Sequence, residues 1–184
     1  MKRKIILNIA MSLDGYIAED SGNLNWLVGD GDKSNNTKEQ FSFPDFINNI
    51  DTIVMGKKSY EDAPAGTFEM FKSTKIYVAS SEKLKTKHDN IEYNNIEFIS
   101  GDIVSQILKI KKEEGKAIWL MGGAVIIDYF IKADVIDEYV IGIIPIILGS
   151  GTPLFLEKNP KLELHLDGYT MEKGVAMLRY SKRK

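Results

Sequence analysis

The sequence predicts a single α/β domain with a mainly parallel sheet that ends in an antiparallel hairpin. Short apolar runs rich in β-branched residues recur along the chain, which is typical of strands buried on both faces. Helical patterns lie between several of these runs, and this alternation indicates β-α-β units with parallel pairing. Near the C-terminus, apolar and polar residues alternate on both sides of a turn, as in an antiparallel hairpin.

The first strand is predicted over Lys4–Ala10, where "KIILNIA" is nearly continuous in apolar residues. Three later runs repeat this style, and a weaker fifth run, "IEFIS", ends at Ser100. The three later runs are Asp51–Gly56, Lys75–Ser80 and Ala117–Gly122. Because all of them are short and bounded by polar or glycine residues, we interpret them as strands of one sheet.

Two helices are predicted in the second half of the chain. In "GDIVSQILKIKKEEG" the apolar residues make one helical stripe, and Gly115 is a plausible helix stop. The stripe consists of Ile103, Val104, Ile107 and Leu108. After the pair Gly122-Gly123, the apolar segment Ala124–Lys132 predicts a second, mostly buried helix.

The C-terminal part changes character. "DEYVIGIIPIILGSGTPLF" predicts a long strand, interrupted by Pro145 and followed by a turn-rich segment. "KLELHLDGYTMEKGVAMLRYSKR" alternates apolar and polar residues on both sides of "MEKG", which predicts the hairpin. Since no linker, repeat or low-complexity stretch interrupts the chain, residues 1–184 are predicted to form one domain.

Composition excludes several function classes. The chain is 43% hydrophobic and 27% charged, with a formal net charge of −2, so we expect no nucleic-acid or membrane partner. It has no cysteine, which excludes disulfides, thiolate metal ligands and a thiol nucleophile. The N-terminal apolar run is too short and too polar for a signal peptide or membrane span. We therefore predict a cytoplasmic protein.

The glycine pair in "WLMGGAVIIDYF" lies between a predicted strand and a predicted helix. The simplest interpretation is a tight turn that packs closely. The functional interpretation adds a phosphate group, because a helix N-terminus offers free N–H groups and positive dipole charge. A glycine pair alone does not distinguish the two.

Two further strand ends carry residues suited to an anion. Gly56 is followed by Lys57, Lys58 and Ser59 in "VMGKKSYED". In "VASSEK" the strand is followed by three such residues, Ser80, Ser81 and Lys83. Because ligands of open α/β sheets bind outside the carboxyl ends of parallel strands, the three junctions together predict a phosphate-containing ligand. The dinucleotide motif G-x-G-x-x-G is absent after the first strand.

The polar segment after the first strand contains the turn signal Asp14-Gly15 and ends at Trp26. It is either a surface loop with one aromatic anchor or a mobile loop that covers a site. Further along, "DGDKSNNTKEQF" resembles a calcium loop at Asp30, but the required glycine and closing glutamate are replaced. We reject that interpretation and predict no metal site.

Five stretches resemble the dihydrofolate reductase-like fold, and most closely its riboflavin-biosynthesis reductase branch. They are "SLDGYIA", "DTIVMGKKSYE", "KIYVASS", "WLMGGAVIIDYF" and "PIILGSGTPLF", and they occur in the family's order over nearly the whole chain. The resemblance implies a mainly parallel central sheet of about eight strands with helices on both faces. It also implies NADPH as hydride donor and a homodimer, which the long apolar run "VIGIIPIILG" favours as well.

The resemblance also implies roles for individual residues. Ala10 and Ile17 would line the nicotinamide end of NADPH, under a loop that contains Asp14. The remaining cofactor residues would be those of the three junctions: Gly56, Lys57 and Ser59 at the phosphates, Ser80 and Ser81 at the adenosine ribose, and Gly122, Gly123, Ala124 and Val125 at the pyrophosphate. Near the substrate we expect Trp26, with Asp14 or Asp30 supplying polarity or a proton.

Three functions follow from these expectations. The first is an NADPH-dependent reductase of a small heterocyclic or carbonyl substrate. The second is a nucleotide-binding module of the same fold without catalysis. The third is true dihydrofolate reduction, which needs a buried carboxylate on the first helix. In "TKEQFSFPDFINNI" Glu39 and Asp45 could supply it, as could Asp30 or Asp32 upstream, but Pro44 is expected to break a simple helix there.

Overall fold

The computed structural model describes residues 3–82, 87–88 and 91–183. Within them the chain forms short and long strands, four α-helices and one 3₁₀ helix, Thr67–Phe71. In chain order the α-helices and strands are β1 (Ile5–Ser12), β2 (Tyr16–Ala18), α1 (Phe43–Asn48), β3 (Ile50–Gly56), α2 (Lys57–Glu61), β4 (Lys75–Ala79), β5 (Lys87–His88), β6 (Ile91–Glu92), β7 (Ile96–Ile99), α3 (Ile103–Ile110), β8 (Ala117–Gly122), α4 (Ala124–Lys132), β9 (Glu138–Ile144), β10 (Thr152–Pro153), β11 (Leu164–Glu172) and β12 (Val175–Lys182).

The main sheet has eight strands in the order β11-β12-β9-β1-β8-β3-β4-β7. The six strands from β9 to β7 pair in parallel. Strand β12 runs antiparallel both to β9 and to β11. The predicted fold class, a mainly parallel sheet completed by an antiparallel hairpin, is therefore confirmed.

Alternate residues of the strands pack on opposite faces of the sheet. On one face, Val54 and Leu120 join a core cluster that includes residues of α3 and α4. On the other face, Ile53 and Trp119 join a cluster that includes Phe71 of the 3₁₀ helix and packs against α1. Helices on both faces explain why the parallel strands are nearly continuous in apolar residues.

Helix α1 differs from the expectation that Pro44 would break it. The helix runs over Phe43–Asn48 with Pro44 in its first turn. Proline is tolerated there because the first N–H groups of a helix have no intrahelical partner. The Ser42 hydroxyl caps the helix by accepting a hydrogen bond from Asp45 N at 3.2 Å. Pro44 thus begins the helix instead of interrupting it.

The C-terminal hairpin turns at Lys173 and Gly174, whose φ angles are +50° and +82°. Two successive residues with positive φ make the turn that matches the right-handed twist of hairpin strands, and the second position favours glycine. The hairpin covers β9, which lies between β1 and β12. The part of the apolar run that lies in β9 is therefore mostly buried inside the sheet, whereas Ile147, beyond the strand, is 70% exposed.

Two segments that are far apart in sequence pack together beyond β1. Strands β2 and β10 pair in antiparallel fashion. Leu13 N donates to Ile146 O at 2.8 Å, and Leu154 N donates to Gly15 O at 2.8 Å. The "SLDGYIA" and "PIILGSGTPLF" stretches thus form one structural unit at the carboxyl end of β1. In the described part of the chain, no helix has the length and apolar character needed to cross a bilayer.

Candidate functional site

The three glycine- and serine-containing junctions lie side by side at one edge of the sheet. Strands β1, β8, β3 and β4 are adjacent and parallel. In the strand register, Met55 is opposite Gly122 and Gly56 is opposite Ala79. The turns after β8, β3 and β4 therefore leave the sheet next to one another, at the edge where ligands of open α/β sheets bind.

The glycine pair has a backbone conformation that other residues rarely adopt. Gly122 and Gly123 have φ angles of +153° and +83°, and Gly123 is the N-cap of α4. The turn after β8 passes directly over the turn after β3. A Cβ atom at position 123 would lie 3.1 Å from Ser59 Oγ and 3.7 Å from Gly56 Cα. Glycine is thus favoured both by the positive φ and by the close approach of the neighbouring turn.

The N-terminus of α4 faces the same edge. The helix has nine residues, and no side chain caps its first N–H groups. These groups have no intrahelical partner and carry the positive end of the helix dipole. Ala124 is buried, whereas Val125 is 58% exposed. Donor geometry and dipole make this turn suitable for a phosphate group.

Lys57 does not stand free at this edge. Its ammonium group lies 2.7 Å from Glu82 Oε2 and 3.8 Å from Glu61 Oε1. The hydrogen bond to Glu82 raises the pKa of Lys57 and lowers the pKa of Glu82. A phosphate that approaches Lys57 therefore meets a cation already shared between two carboxylates.

The two serines after β4 differ in their surroundings. The Ser80 hydroxyl donates to Glu82 O at 3.0 Å and accepts from Glu82 N at 3.1 Å. Ser80 therefore shapes the turn that places Glu82 beside Lys57. Ser81 is exposed. The expectation for Lys83 lies outside the described residues.

Asp14 ties the loop after β1 to the segment after β9. Its carboxylate accepts hydrogen bonds from Ser12 Oγ at 2.6 Å, Gly149 N at 2.8 Å and Leu148 N at 3.1 Å. These bonds, led by that from Ser12, lower the pKa of Asp14 although desolvation opposes them. An acid with a lowered pKa is ionised at neutral pH, so this environment suits Asp14 for holding the loop better than for donating a proton.

The two residues expected at the nicotinamide end lie near the end of β1. Ala10 is on β1, two residues before the strand ends. Ile17 is on β2 and packs against the core cluster on the α3–α4 face. Both are partly buried, and both belong to the loop-and-strand unit that Asp14 holds.

Trp26 and Asp30 lie on the long loop between β2 and α1. Trp26 is 7% exposed, and its indole N–H donates to Asn23 O at 3.1 Å. This is the arrangement of a loop anchor. Asp30 accepts from Asp32 N at 2.8 Å and lies against Gly174 in the hairpin turn. Among the described residues, no hydrogen bond or ion pair joins Asp14 to Asp30, so the two carboxylates do not form an acid pair.

One polar residue near the site was not among the predicted site residues. Asn8 is 6% exposed on β1, on the face opposite to Ile5 and Leu7, which pack with α3 and α4. Its backbone oxygen accepts from Trp119 Nε1 at 2.9 Å. Within the described part of the chain, its side-chain amide has no protein hydrogen-bond partner. The signal for it was an amide inside the otherwise apolar run "KIILNIA".

Aromatic rings cover the α1 face beside this strand. The rings of Phe43 and Phe46 contact the Trp119 ring edge-on, with centroids 5.8 and 5.3 Å apart. Phe43 is 38% exposed. The carboxylates that could have marked a dihydrofolate site are all exposed, namely Glu39, Asp45 and the upstream alternatives Asp30 and Asp32. Helix α1 contains no buried residue at all.

Solved structures with the same fold include reductases. A Shewanella sp. PV-4 protein named as a candidate riboflavin biosynthesis protein is 26% identical, with a TM-score of 0.81 over 98% of this chain and 99% of that one. A Thermotoga maritima deaminase and 5-amino-6-(5-phosphoribosylamino)uracil reductase matches at 16% identity, with a TM-score of 0.67 over 99% of this chain and 57% of that one.

The fold also matches that of Enterococcus faecalis dihydrofolate reductase complexed with NADP(H), at 16% identity and a TM-score of 0.57 over 100% of this chain and 99% of that one. At these identities, the Thermotoga and Enterococcus proteins establish a shared fold alone.

At the level of sequence, YwjB of Bacillus subtilis (strain 168), an uncharacterized protein, is 33% identical over 187 aligned residues, covering 98% of each chain. The sequence profile of the RibD C-terminal domain matches residues 3–173. The chain belongs to the RibD C-terminal domain family, whose fold occurs in reductases.

Proposed function

We propose that this protein is an NADPH-dependent reductase of a small heterocyclic or carbonyl substrate. The observation that carries the proposal is the stacking of the Gly122-Gly123 turn on Ser59 and Gly56, at the edge where β1 also ends. A side chain at position 123 would press against Ser59 and Gly56, the residues that we place at the phosphates. The shared fold of a dihydrofolate reductase complexed with NADP(H) supports the same reading.

In this proposal each junction has one task. The first N–H groups of α4, at Ala124 and Val125, donate to the pyrophosphate, and Gly123 allows its close approach. Ser59 and Lys57 lie at the neighbouring turn and face the phosphates. The turn that contains Ser80 and Ser81 faces the adenosine ribose, and Ala10 and Ile17 border the nicotinamide end.

NADPH, when bound, supplies the hydride, so the protein has to bind, orient and exclude water. Asp14, ionised and bonded to Gly149 N, holds the loop after β1 against the segment after β9. Asp14 is not proposed as the proton donor, because the hydrogen bonds that its carboxylate accepts favour the charged form. In this scheme the proton reaches the substrate from water.

The α1 face supplies the substrate side. Asn8 offers a neutral amide that can both donate and accept a hydrogen bond, and Phe43 offers a partly exposed ring above Trp119. A lactam edge, in which C=O and N–H are adjacent, complements such an amide. We therefore favour a planar, neutral heterocycle of the aminopyrimidinone kind over a cationic pterin, which would need a buried carboxylate.

Absorbance of NADPH at 340 nm, followed with the purified protein, tests the proposal. Aminopyrimidinone precursors of flavins, pterins and quinones are the substrates to compare. We expect oxidation with a heterocyclic substrate, and we expect Asn8→Ala to raise the KM for it more than the KM for NADPH. NADPH binding without oxidation by any of these compounds would instead support the nucleotide-binding module.

A further inference from the structure

A large cavity lies away from the edge described above. It is on the α3–α4 face of the sheet, between α4, the strands β9 and β12, and the segment 155–164. Its volume is about 430 Å³, which is within the range of about 300–1,000 Å³ for small-molecule sites. None of the residues predicted to bind NADPH lines it.

The walls are almost entirely apolar. The lining includes Ile131 of α4, Ile141 of β9, Leu178 of β12 and Leu162 of the segment 155–164. Phe155, which is 49% exposed, also belongs to the lining. A cavity of this kind favours an apolar body, since each buried CH₂ group contributes about 0.8 kcal/mol.

Two polar side chains in the wall have no protein partner. Tyr139 is 3% exposed, and its hydroxyl has no hydrogen-bond partner within the described residues. The same holds for both amide atoms of Asn159. An unsatisfied buried polar group costs about 1–3 kcal/mol. Both residues line the same apolar cavity, so a rotation of either side chain would let the hydroxyl or the amide donate to and accept from a ligand.

The charge of the surroundings narrows the ligand class. No charged side chain lines the cavity. Burial, with Asp134 and Asp137 nearby, raises the pKa of Tyr139 to about 12, so its hydroxyl is neutral. Those two aspartates pair with lysines on neighbouring elements, Lys182 and Lys111. No free cation is therefore available in the lining to hold an anion.

We propose that this cavity is a second ligand site, which takes a neutral, mainly apolar molecule of one or two rings with a single hydroxyl or amide group. Tyr139 and Asn159 bond the polar group, and the aliphatic walls enclose the rings. The site is separate from the proposed NADPH edge, so the two ligands bind without competing.

Fluorescence titration with 2-naphthol tests this site, with naphthalene as the matched probe that lacks the hydroxyl. The folded protein should bind 2-naphthol saturably, and saturating NADPH should leave that binding unchanged. Tyr139→Phe keeps the ring and removes the hydroxyl, so it should weaken 2-naphthol binding about tenfold, the amount expected for one buried hydrogen bond. The same variant should leave naphthalene binding unchanged.

Filling the cavity should abolish binding of both probes. Leu162→Trp places an indole in the cavity from the segment 155–164. The control is Leu24→Trp, which adds the same ring at an exposed residue outside the lining and should leave binding of both probes intact. If Leu162→Trp does not fold, Ile131→Phe fills the cavity from α4. Equal binding of 2-naphthol to a folded filled variant, displacement of the probe by NADPH, or no saturable binding would overturn the proposal. A sedimentation shift from dimer to monomer in the filled variant would overturn it too, because a second copy would then occupy the cavity.

Discussion

The ammonium group of Lys57 lies 2.7 Å from the carboxylate of Glu82, where the turn after β3 meets the turn after β4. In dinucleotide-binding α/β folds, a carboxylate near a strand end more often indicates a preference for NADH, because it accepts a hydrogen bond from the ribose 2′-hydroxyl. Here the carboxylate is paired with a lysine, and two serines precede it. The pair therefore places both a cation and an anion where the ribose would lie.

We predict that NADPH binds more tightly than NADH, and that Glu82→Gln increases this preference. Removal of the carboxylate frees Lys57 for the 2′-phosphate, with an expected gain of about two- to fivefold, the size of an exposed ion pair. Calorimetric titration with both cofactors measures this change in preference. The matched control is Glu61→Gln, which removes the more distant carboxylate near Lys57, on α2, and should change the preference less. Equal affinity of the unmodified protein for both cofactors would contradict the prediction.

Replacement of Gly123 by valine should remove NADPH binding while the fold is retained. The new Cβ would lie 3.1 Å from Ser59 Oγ, so the branched side chain would displace the turn that we place at the pyrophosphate. We expect a rise in Kd of more than about tenfold, equivalent to about 1.4 kcal/mol. Strain at positive φ also costs about 1–3 kcal/mol of stability.

The matched control for this variant is Gly66→Val. Gly66 has a φ of +79°, close to the +83° of Gly123, and no neighbouring atom lies within 4 Å of the added Cβ. Both variants should lose similar stability in thermal unfolding, but only Gly123→Val should lose NADPH in calorimetry. Unchanged binding in folded Gly123→Val would remove the cofactor from this turn.

Dihydrofolate should be a poor substrate. No residue of helix α1 is fully buried, and the candidate carboxylates Glu39, Asp45, Asp30 and Asp32 are all exposed. Unpaired ring donors of a pterin would cost about 1–3 kcal/mol, so we expect kcat/KM below about 10⁴ M⁻¹s⁻¹ in steady-state kinetics. Any residual rate should be unaffected by Glu39→Gln and Asp45→Asn. An efficient rate that either substitution abolishes would mean that a carboxylate reaches the substrate.

We also propose a homodimer, on the resemblance to related small reductases. Burial of β9 between β1 and β12 already accounts for much of the apolar run that suggested it. The remaining apolar exposure includes Ile147, at 70%. Light scattering should give twice the chain mass of 20.7 kDa. A single 20.7 kDa species at micromolar concentration would refute the dimer.

The hydrogen bonds that Asp14 accepts should make the stability of the folded protein decrease at acid pH. Its folded-state pKa is lowered, chiefly by the hydrogen bond from Ser12. Stability from this group is therefore present above the unfolded-state value of about 3.9 and is lost as pH falls through the lower folded-state pKa. Thermal unfolding should separate the protein from Asp14→Asn at pH 6, and the difference should shrink toward pH 2. Asp62→Asn removes the same charge at an exposed position. Its difference in thermal unfolding from the unmodified protein should be similar at pH 6 and at pH 2.

Several elements followed from local sequence because the physical signal for them is local. Apolar, β-branched runs predicted the parallel strands, and Ala124–Lys132 was predicted as the helix with the bounds that the structure has. The hairpin turn at Lys173-Gly174 followed from turn chemistry, since glycine readily adopts positive φ. The prediction that Pro44 breaks the helix is wrong for a local reason as well. Proline is unfavourable inside a helix but acceptable in its first turn, where Pro44 lies.

The sequence by itself determined the class of fold, the strand-end junctions and the residue types that suit phosphate groups. Only the tertiary structure decided which of these groups meet, because strand order and register bring distant residues together. Asp14 accepts from Gly149, 135 residues away, and Glu82 reaches Lys57 across the ends of two strands. The cavity beside Tyr139 likewise exists only once α4, β9, β12 and the segment 155–164 are packed. Such contacts depend on packing over long sequence separations, for which periodicity and turn chemistry carry no information.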